Sequence, residues 1–83
     1  MLSRSYEDHV THRWINPENQ RYYTAHLVQD LFGDWTLVSC WGGLHSRRGG
    51  MRVTKVPSRE DGHQEIRKIA KRRLQRGYEE VTT

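Results

Sequence analysis

Apolar positions along this chain follow two different periods. From Arg21 to Gln29 they alternate, with Tyr23, Ala25 and Leu27 on one side and Tyr22, His26 and Val28 on the other. That period of two predicts a strand. Trp35 to Trp41 alternates again, setting Trp35, Leu37, Ser39 and Trp41 against Thr36, Val38 and Cys40. Asp30-Leu31-Phe32-Gly33-Asp34 separates the two runs and carries Gly-Asp, a hairpin signal. Upstream, Thr11–Ile15 predicts a short edge strand closed by the turn-forming Asn16-Pro17-Glu18-Asn19. Downstream, a glycine-rich basic loop from Gly42 to Gly50 leads to a shorter strand, Met51–Val56, which Pro57 ends. The first ten residues are polar, lack a period and read as a flexible tail, leaving 11–83 as one domain.

The period then changes. Ser58, with Asp61 three residues later, has the form of a helix cap, and a carboxylate in the first turn suits the helix dipole. Ile66, Ile69, Ala70 and Leu74 recur at helical spacing as one apolar stripe. Cations from Arg67 to Arg76 crowd the C-terminal half, and Gly77 stands where a C-terminal cap belongs. Tyr78 and Val81 either pack back on the helix or begin a last strand. Gly62 inside the helix costs about 1 kcal/mol against alanine, so the first turn is either weak or closely packed against a neighbour. The elements sum to an α+β domain, a meander of antiparallel strands with one C-terminal helix on one face. Two faces that each need burial should meet, placing Trp35 and Leu37 against Ile66, Ile69 and Ala70.

With 83 residues, 34% of them hydrophobic, the core is thin and the eight aromatic side chains must supply much of it. A lone cysteine, Cys40, excludes an internal disulfide and fits a reducing cytoplasm. No apolar run approaches the roughly 20 residues of a membrane span, and the N-terminal stretch lacks a secretory signal. Cytoplasmic placement is the expectation.

Charge is distributed unevenly. Residues 1–40 carry three basic and five acidic side chains, whereas residues 41–83 carry eleven basic and five acidic. Between Trp41 and Arg59 stand Arg47, Arg48, Arg52, Lys55 and Arg59, with no carboxylate. Clustered cations are the footprint of a phosphate-rich partner, or else a solvated basic face. Trp41 roots the loop from Gly42 to Gly50. Its glycines bring backbone N–H groups close to an anion, and Arg47 and Arg48 offer planar forks for phosphate oxygens. Enzymatic chemistry finds little support. His9 and His12 have metal-ligand spacing without a third ligand, Cys40 has no partner at a telling spacing, and the loop lacks a nucleotide-cradling order. No cofactor or metal is expected, and the domain reads as non-enzymatic.

Tyr22-Tyr23, then Asp30-Leu31-Phe32-Gly33-Asp34-Trp35-Thr36-Leu37-Val38, then Trp41-Gly42, then Arg76-Gly77-Tyr78 resemble a WGR domain, over about residues 12–81. The resemblance implies a curved antiparallel sheet of four to five strands with one helix. WGR domains occur in poly(ADP-ribose) polymerases, where they bind DNA ends and contact neighbouring domains, and in bacterial proteins. The family motif ends in Arg where this chain has Gly43. Trp41 is thus implied to lie against DNA, while either Arg47 or Arg48 replaces the guanidinium from the loop or the chain has lost DNA-end binding.

Two functions follow as expectations. The first is a nucleic-acid-binding module, favouring DNA and meeting its backbone or ends without sequence specificity through Trp41, Arg47, Arg48, Arg52 and Lys55. The second is a docking module that uses the same surface for a partner protein, since Trp and Arg dominate such contacts too. The helix cations Lys68, Lys71, Arg72 and Arg76 either extend a phosphate track or solvate the outer face, and solvation is favoured.

Overall fold

The computed structural model describes residues 10–81. Strands β1 (Val10–Asn16), β2 (Arg21–Gln29), β3 (Trp35–Gly43) and β4 (Gly49–Val56) are followed by helix α1 (Arg59–Gln75) and strand β5 (Glu79–Val81). All pairings are antiparallel, in the order β4-β3-β2-β1-β5. The architecture is the expected α+β one. The expected tail, residues 1–10, lies outside the described residues except for Val10, which opens β1.

Register sorts the alternating side chains. Trp14, Tyr23 and Trp41 form one row across β1, β2 and β3, and Leu27 pairs with Leu37 in another. These residues face α1. Trp14, Ala25, Leu27, Leu37, Ile66 and Tyr78 form the buried core, with Tyr23, Trp35, Ile69 and Ala70 partly buried against it. Leu37 therefore meets the helix as expected, whereas Trp35 sits at the core margin and Trp14, only 2% exposed, holds its centre. Leu74, placed on the apolar stripe by spacing, is exposed near the end of α1.

Two boundaries differ from the sequence expectation. The strand around Thr11–Ile15 is not an edge, because β5 pairs with Arg13–Ile15 on its free side. His12 Nδ1 also lies 2.6 Å from Glu80 Oε2 across that pairing. Nor do all residues from Gly42 to Gly50 form a loop. Gly42 pairs with Gly49 and Trp41 with Gly50, so the ladder runs through the glycines and only Leu44–Arg48 turns.

The caps follow the sequence. Ser58 Oγ accepts from Asp61 N at 3.1 Å and donates to Asp61 Oδ2 at 2.8 Å. At the other end, Gly77 N donates to Leu74 O and Tyr78 N to Arg73 O, the bond pattern of a Schellman turn, with Gly77 at φ 87°. This turn drives Tyr78 back into the core and starts β5, so both alternatives open in the sequence hold together. Asn16 locks the same end: Oδ1 accepts from Glu18 N and Asn19 N, while Nδ2 donates to Arg76 O at 3.0 Å.

Gly62 owes its place to packing. A Cβ there would stand 2.4 Å from Leu27 Cδ1 and 2.8 Å from Cδ2, and Leu27 is fully buried with no room to retreat. Gly62→Ala is therefore expected to lower stability by about 1 kcal/mol or more, the overpacking cost exceeding the gain in helix propensity. Chemical denaturation measures it, and a stabilised variant would contradict the packing.

Candidate nucleic-acid interface

Row neighbours on the helix-facing side build a cleft at one end of the sheet. Arg21 opens β2 in phase with Tyr23, and Arg52 is in phase with Gly50 on β4. Both line a cleft of about 260 Å³ with Tyr23, Trp41, Gly42, Arg73 and Tyr78. The Trp41 indole is stacked on Tyr23, with centroids 6.0 Å apart and planes 15° from parallel. Its other support is Gly50, where a Cβ would fall within 2.6 Å of three indole atoms. Only glycine lets the indole lie against β4.

Arg73 enters from α1. Its guanidinium carbon sits 4.5 Å from the Tyr23 ring centre and 4.9 Å from that of Tyr78, so two aromatic rings hold one cation. The Schellman turn makes this possible by bringing Tyr78 against the carbonyl of Arg73. Arg73 Nε is buried and has no hydrogen-bond partner among the described residues. Buried donors are rarely left unpaired, and among the described residues no carboxylate lines the cleft. Three arginines therefore converge uncompensated on an aromatic floor, an arrangement that attracts anions carrying flat rings or sugars.

Of the residues singled out from sequence, Trp41 and Arg52 meet in this cleft. Arg47 and Arg48 lie on the exposed turn beyond it, where Arg48 N donates to Ser46 Oγ. Lys55 lies near the opposite end of β4, 3.8 Å from Asp34 Oδ2, and both groups are largely exposed. A second groove of mixed charge, lined by Arg52, Lys55 and Arg72 together with Asp61 and Glu65, runs from the cleft along α1. Arg72 thus shares its groove with two carboxylates, and Lys68 pairs with one of them, Glu65, at 3.1 Å. Arg21, Tyr23, Arg73 and Tyr78 have no binding role in the sequence reading. Among the described residues, no three His, Cys, Asp or Glu side chains are grouped to hold a metal ion. No helix there is long and apolar enough to cross a membrane.

The WGR domain family model matches residues 6–83. The chain belongs to the WGR domain family. No curated protein and no solved structure is similar enough to count as a match. WGR domains are of nucleic-acid-binding type, and in this one the motif is Trp41-Gly42-Gly43. Gly43 pairs directly with Arg21 on β2. The guanidinium missing from the motif thus has a neighbour across the ladder that lines the same cleft.

Gly43 has no positive φ, and a Cβ there would meet only Ser46, its Cβ at 3.1 Å and its N at 3.9 Å. Ser46 lies on an exposed turn that can shift by the few tenths of an ångström required. Gly43→Arg is accordingly expected to fold and to add one phosphate contact, steepening the salt slope of duplex binding by about 0.9. A titration at several salt concentrations reads the slope, and weaker or unchanged binding would remove position 43 from the interface.

Proposed function

We propose that this WGR domain binds DNA without catalysis, gripping backbone phosphates at or near a strand end and reading no sequence. The observation that carries this reading is the convergence of Arg21, Arg52 and Arg73 on the Tyr23–Trp41 stack, with no carboxylate among the described residues lining the cleft. A phosphate oxygen entering the cleft offers an acceptor to guanidinium groups that the fold leaves without carboxylates, and charge-assisted bonds of this kind are the strong ones. A sugar or base edge can rest against the aromatic floor. Arg47 and Arg48 flank the entrance as further phosphate contacts, whereas Arg72 lies in a groove it shares with Asp61 and Glu65 and adds little. Lys55, beside Asp34, contributes least. The lone Cys40 is consistent with work in a reducing, cytoplasmic compartment.

Such contacts fix position without specifying bases, so affinity should depend on salt rather than sequence. The test is a titration of the domain against blunt, nicked and single-stranded DNA across a range of salt. Three cleft contacts alone give a slope of log K against log salt of about −2.7 on duplex, and the turn arginines steepen it. Binding that does not respond to salt would favour the docking reading, which has its own support in an exposed Leu31–Phe32 pair.

A further inference from the structure

The far end of the sheet has the opposite character. The β2–β3 turn presents Leu31 and Phe32, which are 100% and 90% exposed. Chance exposure of single apolar residues is ordinary, but this pair is held out by a rigid frame. Asp30 Oδ1 accepts from Phe32 N and Asp34 N, each at 2.9 Å. Asp30 N donates to Asp34 O, Gly33 N to Asp30 O, and Gln29 Nε2 to Gly33 O at 3.0 Å. Two carboxylates thus flank two apolar side chains on a turn with little freedom left to lose on binding. Glu60 and Asp61, in the first turn of α1, add negative charge at this end, against Lys55 and Arg59. Trp41 lies eight strand positions from Gly33, so tip and cleft are roughly 25 Å apart on one molecule.

The complement of this tip exists in the chain itself. The cleft offers the rings of Tyr23, Trp41 and Tyr78 to an apolar or aromatic side chain, and Arg21, Arg52 and Arg73 to carboxylates. We propose that Phe32 and Leu31 of one copy enter the cleft of a second copy, with Asp30 and Asp34 meeting its arginines, so that the domains associate head to tail. The contact is heterologous, joining different surfaces on the two molecules, and it extends to short chains rather than closing as a symmetric pair. A turn seated in a cleft of about 260 Å³ covers far less than a standard interface. Association is therefore weak, and it occupies the surface assigned above to nucleic acid. Ligand-free domains store one another's clefts, and an oligonucleotide releases them.

Two variants test this because each damages one half of the contact. Phe32→Ser removes the tip and keeps the cleft, while Arg52→Glu reverses a cleft charge on an exposed edge strand and keeps the tip. Sedimentation velocity at low salt is expected to show the wild-type domain associating as concentration rises, and each variant alone remaining monomeric. An equimolar mixture is expected to form a one-to-one dimer and stop there, because the Arg52→Glu tip fits the Phe32→Ser cleft and nothing can extend it. A wild-type domain that stays monomeric to millimolar concentration would overturn the proposal, as would a monomeric mixture or a Phe32→Ser variant that associates like wild type. Duplex titration of Phe32→Ser separates this claim from the nucleic-acid reading. The variant retains full DNA affinity if that reading holds, whereas loss of DNA binding in every form with association intact would sink the reading alone.

Discussion

Trp14→Ala is expected to take away a large share of the domain's stability. Trp14 is 2% exposed at the centre of the core, edge-on to Tyr23 at 6.1 Å and stacked with His12 at 5.7 Å. Truncating a buried Trp costs about 3–5 kcal/mol, and a domain of this size has a total stability of roughly 4–12 kcal/mol. The row through Trp14, Tyr23 and Trp41 also links the core to the cleft, so the loss reaches the site. Trp35→Ala, at the core margin, should cost clearly less, about 1–2 kcal/mol. Denaturant midpoints of the two variants decide the order. A Trp35 variant less stable than the Trp14 variant would contradict the assignment of the core.

Replacing Arg21, Arg52 and Arg73 together by Gln is expected to weaken duplex binding about a hundredfold at low salt. Each loses one phosphate contact that, screened by solvent in an open cleft, is worth roughly 1 kcal/mol net, and every 1.4 kcal/mol is tenfold. The salt slope should become shallower by about 2.7, the share of three released counterions. Arg21 and Arg52 stand at strand positions open to solvent, but Arg73 also holds Tyr23 and Tyr78, so circular dichroism must confirm folding. An Arg21/Arg52 double variant keeps that contact and should lose about 1.8 of the slope. Arg47→Gln with Arg48→Gln measures the turn separately. An unchanged slope in the double and triple cleft variants would move the binding site away from the cleft.

Much of the sheet was legible because alternation is a strong signal when one face is buried. Tyr23, Ala25 and Leu27 on β2, and Trp35, Leu37, Ser39 and Trp41 on β3, share the faces their spacing assigns. What was not legible has physical reasons. Glu79–Val81 is three residues long, too short to show a period, and it pairs with a strand more than sixty positions earlier, so the sequence alone presents β1 as an edge. Glycines have no side chain to alternate, which hid the ladder through Gly42, Gly43, Gly49 and Gly50.

The site divides in the same way. Trp41 and Arg52 were found because an aromatic residue beside clustered cations is a local pattern. Arg21 lies in phase with Tyr23 and Leu27 on β2, and Arg73 follows Ile66, Ile69 and Ala70 at seven, four and three positions. Both are cations on apolar faces, a signal present in the sequence and lost among the many other basic residues. That Tyr78 would close over Arg73 required the turn geometry at Gly77.

The three tryptophans give the most direct measurement of the central claim, because they occupy the cleft, the core and the far end. In a proton–nitrogen correlation spectrum each indole N–H gives its own signal, and a short DNA duplex can be titrated in at low salt. The Trp41 indole signal is expected to shift progressively, while those of Trp14, buried at 2%, and Trp35, beside the β2–β3 turn, stay near their free positions. A duplex that moves Trp35 and leaves Trp41 in place would contradict the account.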